Sequence, residues 1–222
     1  MKQKKIICLI VLFWLSGYLP AQDKAVPFSK ELYAFKQQDS VRFPPKKAIL
    51  FIGSSSFTKW TDVADYFPRY RIVNRGFGGS SLPDLIQNIE QIVFPYQPKQ
   101  IVIYCGENDL ASSDTITSKI VFNRFKQLFQ LIRVKLPAVP IAFVSLKPSP
   151  SRQKLWPKME EVNLMVKNYL KTKRNTAFID VYHGMFNKDG TVMQELFVED
   201  NLHMNKKGYA IWQQKIKPYL LK

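Results

Sequence analysis

"KAILFIGSSSF", residues 47–57, joins an almost unbroken apolar run to a glycine and three serines. The run 47–53 is short and lacks the polar alternation of a half-exposed strand, so it reads as a strand covered on both faces. The same form recurs in "YRIVNRG" (70–76), "QIVIYCG" (100–106), "PIAFVSL" (140–146) and "TAFIDVY" (176–182). Helical patterns fill the intervals. "SLPDLIQNIEQIVF" opens with an N-cap candidate at Ser81 and with Pro83 in its first turn. "TSKIVFNRFKQLFQLIRVKL" is long and amphipathic, "PKMEEVNLMVKNYLK" begins with Pro157, and a final helix runs through "NKKGYAIWQQKIKPYLL".

Strands alternating with helices predict an α/β fold, a parallel sheet with right-handed crossovers and helices on both faces. Five strands fit a three-layer, flavodoxin-like sandwich of strand order 2-1-3-4-5. Ligands then bind where the exits of strands 1 and 3 diverge. Function is therefore expected in the loops after strands 1, 2, 3 and 5.

The chain has 222 residues, 46% hydrophobic and 14% aromatic, enough for one domain with a substantial core. Its first 21 residues stand apart. Lys2, Lys4 and Lys5 precede an apolar stretch from Ile6 to Leu15 and a short exit to Ala21, the pattern of a secretory signal and too short for a comfortable membrane span. Residues 1–21 are expected to be a signal peptide and 22–222 a single domain, exported to the periplasm or beyond the cell, with no membrane span after cleavage. Cleavage removes three of the 33 basic residues and none of the 17 acidic ones, leaving a net charge of +13. The lysines are spread along the chain without an aromatic-interleaved stripe or a nucleic-acid motif, so the charge reads as a solvated surface and nucleic acid is not an expected partner. Cys8 lies in the leader, which leaves Cys105 alone; the mature monomer has no internal disulfide and relies on its core.

Each of the four loops carries polar residues suited to chemistry. After strand 1, "GSSSF" (53–57) puts three hydroxyls at a helix start, whose free N–H groups favour a nucleophilic oxygen and a developing oxyanion; it would serve equally as a serine-rich cap. After strand 2, "NRGFGGSS" (74–81) has three glycines in four residues, which lets backbone N–H groups approach a ligand. After strand 3, "CGENDL" (105–110) offers Asn108 as a neutral donor, while Cys105 reads as the packed end of the strand. After strand 5, "FVEDNLHMN" (197–205) sets Asp200 three residues before His203, a base with a carboxylate to orient it. Any one of these loops has an ordinary structural reading. Together they gather a nucleophile, oxyanion donors and an acid–base pair at one sheet edge. No ligand cluster for a metal or cofactor is visible.

These blocks, G-S-S-S, N-R-G-F-G-G, G-E-N-D and D-N-L-H, come in the order of the SGNH (GDSL-type) hydrolase superfamily, which the chain resembles over nearly all of residues 22–222. The details "KPSPSRQKLWP" and "LHMNKKGYAIW" are similar to a bacterial GDSL-like acylhydrolase subgroup. Ser54 stands where the first block usually has Asp. The resemblance implies a serine hydrolase with Ser55 as nucleophile, completed by Asp200 and His203. Its oxyanion hole would comprise the N–H groups of Ser55 and Gly79 and the Asn108 side chain, with no metal or cofactor. It implies hydrolysis of short acyl esters, acetyl foremost, on a small-molecule or carbohydrate alcohol. The loop 147–157 leaves strand 4 near this edge, so Arg152 and Trp156 are candidate substrate contacts, although Trp156 would equally pack under the next helix. A lipase or lysophospholipase acting on longer chains, and a non-catalytic surface-binding module, are the alternative readings. The sequence leaves the oligomeric state open.

Overall fold

The computed structural model describes residues 27–222. The expected leader, 1–21, lies outside the described residues. Helix α1 (Ser29–Val41) precedes β1 (Ile49–Gly53), two one-turn helices α2 (Ser55–Thr58) and α3 (Val63–Tyr66), and β2 (Ile72–Gly76). Next come α4 (Leu82–Gln87), α5 (Ile89–Ile92), β3 (Gln100–Tyr104), α6 (Glu107–Ala111) and α7 (Ser118–Lys135). The chain continues through β4 (Ile141–Val144), α8 (Trp156–Lys171), β5 (Thr176–Ile179) and α9 (Lys206–Ile216).

All five strands are parallel, in the order β2-β1-β3-β4-β5, as the strand–helix alternation predicts. Phe51 and Val102 stand in one cross-strand row, Ile52, Ile103 and Phe143 in the next, so the two rows face opposite sides of the sheet. On the first side Phe51 packs against Phe57 (ring centroids 4.9 Å apart), Trp60 and Phe67, and Tyr104 against Trp212 of α9 (4.8 Å). On the other, Phe143 meets Phe125 of α7 edge-on at 4.8 Å. The central strands β1, β3 and β4 are buried throughout. The edge strands differ from the reading that every strand is covered on both faces: β2 is half-covered, and only Ile179 of β5 is fully buried. Among the described residues no further strand lies beyond either edge.

The helix expected across 81–94 breaks at Asn88, whose backbone leaves the helical region (φ −105°, ψ 8°), giving α4 and α5. Helix α1 ties the N-terminal side to β2 through Asp39, which pairs with Arg75 and accepts a 2.5 Å hydrogen bond from Tyr96 Oη. Its start reaches the loop after β2, where Phe28 packs edge-on against Phe77 (5.0 Å). Among the described residues no helix is long and apolar enough to cross a membrane. Cys105 is free and buried, and burial pushes its thiol well above the usual range, as suits a packing residue.

Candidate active site

Gly53, Gly76 and Tyr104 form one cross-strand row at the carboxyl ends of β1, β2 and β3. The three polar loops therefore leave the sheet side by side. Gly53 is required here: at φ +151° a Cβ would lie 1.9 Å from Tyr104 O. Directly after it the chain turns into α2. Asn74 Nδ2 donates to Phe57 O (2.7 Å) and Tyr209 Oη to Ser56 O (2.9 Å), fixing the turn between β2 and α9. Ser54 and Ser56 are buried, while Ser55 is half-exposed and points outward.

Ser55 Oγ lies 2.9 Å from His203 Nε2. On the far side of the ring, His203 Nδ1 lies 2.5 Å from Asp200 Oδ2. Asp200 Oδ1 also accepts from the N–H groups of His203 (2.8 Å) and Leu202 (2.9 Å). Partial burial acts to raise the Asp200 carboxyl, but these N–H bonds and the imidazole outweigh it and hold the group well below the usual carboxylate range. An Asp200 ionised at neutral pH favours the proton on Nδ1, which leaves Nε2 free to accept from the Ser55 hydroxyl. The loop bearing the pair is held by Val198 N→His203 O (2.9 Å) and capped into α9 by Asn205, whose Oδ1 accepts from Lys207 N.

The loops after β2 and β3 carry the two expected donors. Gly79 is exposed at φ +79°, and its N–H donates to no described residue. Its loop is pinned by Phe77 N→Gly53 O (3.0 Å) and Ser80 Oγ→Gly53 O (3.2 Å). Asn108 Nδ2 gives one hydrogen to Ser80 O (3.0 Å) and keeps the second. Asp109 completes the frame by accepting from Leu82 N (2.9 Å) and pairing with Arg124 (2.8 Å).

The two loop 147–157 candidates face protein groups. Arg152 Nη2 donates to Asn108 Oδ1 (2.8 Å), and Nη1 lies 3.5 Å from Glu107 Oε1. Trp156 Nε1 donates to Ser149 O (3.0 Å), and its ring packs edge-on against Phe186 (5.6 Å). The sequence reading missed what lies beneath them. Glu107, only 3% exposed, accepts from Lys147 Nζ (2.8 Å), Ser149 Oγ (2.6 Å) and Tyr104 Oη. Burial works to raise this carboxyl, yet Lys147 and Arg152 prevail and it lies below its ordinary value. The lysine is itself buried and shifted down by desolvation, against the pull of Glu107. The apolar-flanked "SLKPS" carried the only signal: a lysine continuing straight from a fully buried strand.

The spacing D-x-x-H occurs twice. Asp180 and His183 also pair, at 2.7 Å, but His183 is 79% exposed and donates to no serine. Five surface cavities, about 280 to 600 Å³, lie beside α8, α1, α3, α6 and the 197–200 loop; none of the five is lined by Ser55 or His203.

Residues 41–211 match the model of the GDSL-like Lipase/Acylhydrolase family. The chain belongs to that family, whose members are serine hydrolases acting on esters. No curated protein matches it in sequence. Among solved structures it is similar to a GDSL-like lipase from Bacteroides thetaiotaomicron, with 19% identity and TM-score 0.71 over 84% of this chain and 95% of that one. It is also similar to the lipase/acylhydrolase from Enterococcus faecalis (21%, TM-score 0.61, 78% and 96%). A third is a mutant of an acetyl-xylooligosaccharide esterase from Geobacillus (15%, TM-score 0.64, 81% and 96%). At these identities the likeness is one of fold.

Proposed function

We propose that this protein is an exported serine esterase that removes short acyl groups, acetyl foremost, from small or carbohydrate alcohols through an acyl-enzyme. The observation that carries the reading is the unbroken hydrogen-bonded line Ser55 Oγ–His203–Asp200. Ser55 Oγ bonds to the ester carbonyl carbon while its proton passes to His203 Nε2. The tetrahedral oxyanion is held by the N–H groups of Ser55 and Gly79 and by the free hydrogen of Asn108 Nδ2. Collapse breaks the bond to the alcohol, which leaves with the proton from His203. Water then attacks the acyl-serine, again losing its proton to His203, and releases the acid. Asp200 stays ionised and stabilises the imidazolium formed at each step.

A carbohydrate acetate is the substrate class named for one protein of this fold, the acetyl-xylooligosaccharide esterase, and a carbohydrate is the alcohol we propose to test first. Export rests on the leader-like residues 1–21. Hydrolysis of para-nitrophenyl acetate, butyrate and octanoate by residues 22–222 tests the reading. Rates that fall with chain length support it; a maximum at octanoate makes the protein a lipase or lysophospholipase, and no turnover of any ester or acetylated sugar makes it a binding module.

A further inference from the structure

We propose that Arg152 is the positioning residue of the oxyanion hole, acting through the Asn108 amide rather than on substrate. The inference rests on the reading of Asn108 as an oxyanion donor. The amide is held from both ends: Nδ2 donates to Ser80 O at 3.0 Å, and Oδ1 accepts from Arg152 Nη2 at 2.8 Å. A flipped amide would set its carbonyl against Ser80 O and its NH2 against a guanidinium, two repulsive contacts in place of two bonds. Arg152 therefore fixes which atom of Asn108 faces the reacting centre. A cation on the amide oxygen also draws electron density from the nitrogen, so the remaining N–H becomes a stronger donor to a developing negative charge.

Several features place the guanidinium there. The Pro150–Leu155 turn departs from helical geometry at Arg152 itself (φ −116°, ψ 26°). Ser151 N and Oγ both bond to Asn201 O (3.0 and 2.9 Å), which ties this turn to the loop carrying Asp200 and His203. Beneath, Glu107 supplies the counter-charge and is locked by Lys147 and Ser149. Arg152 Nη1 is buried without a hydrogen-bond partner, 3.5 Å from Glu107 Oε1.

The test is a double-mutant cycle on para-nitrophenyl acetate hydrolysis with Arg152→Met, Asn108→Ala and the pair, reading kcat and KM separately. The expected result is a fall in kcat of about tenfold for Arg152→Met, smaller than the roughly 10²–10³-fold for losing the donor itself. KM stays within about twofold, and Arg152→Met adds less than about twofold in the Asn108→Ala background. A kcat equal to wild type, a change confined to KM, or a full additional loss on top of Asn108→Ala overturns the proposal; the second of these would return Arg152 to substrate binding. A wild-type kcat in Asn108→Ala instead refutes the role of Asn108. If Arg152→Met does not fold, Arg152→Lys decides: it keeps the charge over Glu107 but not the planar fork, and must show the same coupling to Asn108.

Discussion

His203 Nε2 lies 2.9 Å from Ser55 Oγ although 148 positions separate the two residues, because one leaves the sheet at the end of β1 and the other precedes α9. The parallel order brings both ends to one edge, and the Asp200 carboxylate supplies the ring with its orientation. A serine, a base and a carboxylate in line, with an exposed Gly79 N–H and a spare Asn108 hydrogen in the neighbouring loops, are what the proposed acyl-enzyme mechanism requires.

Removing one donor tests the oxyanion side. Asn108→Ala is expected to lower kcat by about 10²–10³ with little change in KM, since the amide acts on charge that appears only in the transition state. Steady-state kinetics on para-nitrophenyl acetate check it; a kcat within twofold of wild type removes Asn108 from the hole.

Replacing the carboxylate tests the acid–base side. Asp200→Asn should cut kcat by roughly 10⁴ at neutral pH, because the amide lets the imidazole take the wrong tautomer. The readout is kcat at pH 7 with circular dichroism to confirm the fold, and a loss below tenfold would separate Asp200 from the mechanism.

The second D-x-x-H pair should be silent. His183→Ala is expected to leave kcat and KM within about twofold, because His183 is exposed and, among the described residues, its side chain hydrogen-bonds only to Asp180. A large loss of kcat in a folded protein would show that the wrong pair had been assigned.

The buried charges bear on stability. Lys147→Met leaves Glu107 buried beside fewer donors and should destabilise the fold by about 3–5 kcal/mol. Lys147→Met with Glu107→Gln should cost clearly less than the two single changes added together. Urea unfolding of the three variants measures the coupling; strict additivity would mean that the pair is not interacting.

Acid should weaken the same cluster. The folded Glu107 carboxyl is held below its ordinary value, so its contribution is fully present above the unfolded pKa of about 4.3 and is lost as pH falls through the lower folded value. Asp200 is depressed too and acts in the same direction, though its greater exposure lets solvent screen the effect. Melting temperatures between pH 7 and 3 should decline below about pH 4, with a shallower acid limb in Glu107→Gln. An identical limb in the variant would contradict the assignment.

Strand order and the loops that carry the candidate site were legible in patterns along the chain, whereas the choice of Ser55 came from the family resemblance. Apolar runs of buried strands stand out against amphipathic helices, and four short polar blocks follow strands 1, 2, 3 and 5. The break at Asn88 was not legible, since the apolar spacing of "LIQNIEQI" continues through it. Nor were the roles of Glu107, Lys147 and Arg152. Charged and polar residues 40 or more positions apart look like solvated surface until the fold turns them inward, and the Arg152–Asn108 hydrogen bond has no signature in the loop's sequence. Ser54, Ser55 and Ser56 are equivalent in composition; the one-turn helix α2 buries the outer two and aims the middle one at His203.

The most direct test is to identify which residue the substrate modifies. The protein is treated with a fluorophosphonate, which traps an activated serine, and the adduct is mapped by peptide mass spectrometry beside Ser55→Ala. The account predicts a single adduct on Ser55, absent from Ser55→Ala together with esterase activity. An adduct on Ser54 or Ser56, or an unlabelled protein that still hydrolyses para-nitrophenyl acetate equally in both forms, would contradict it.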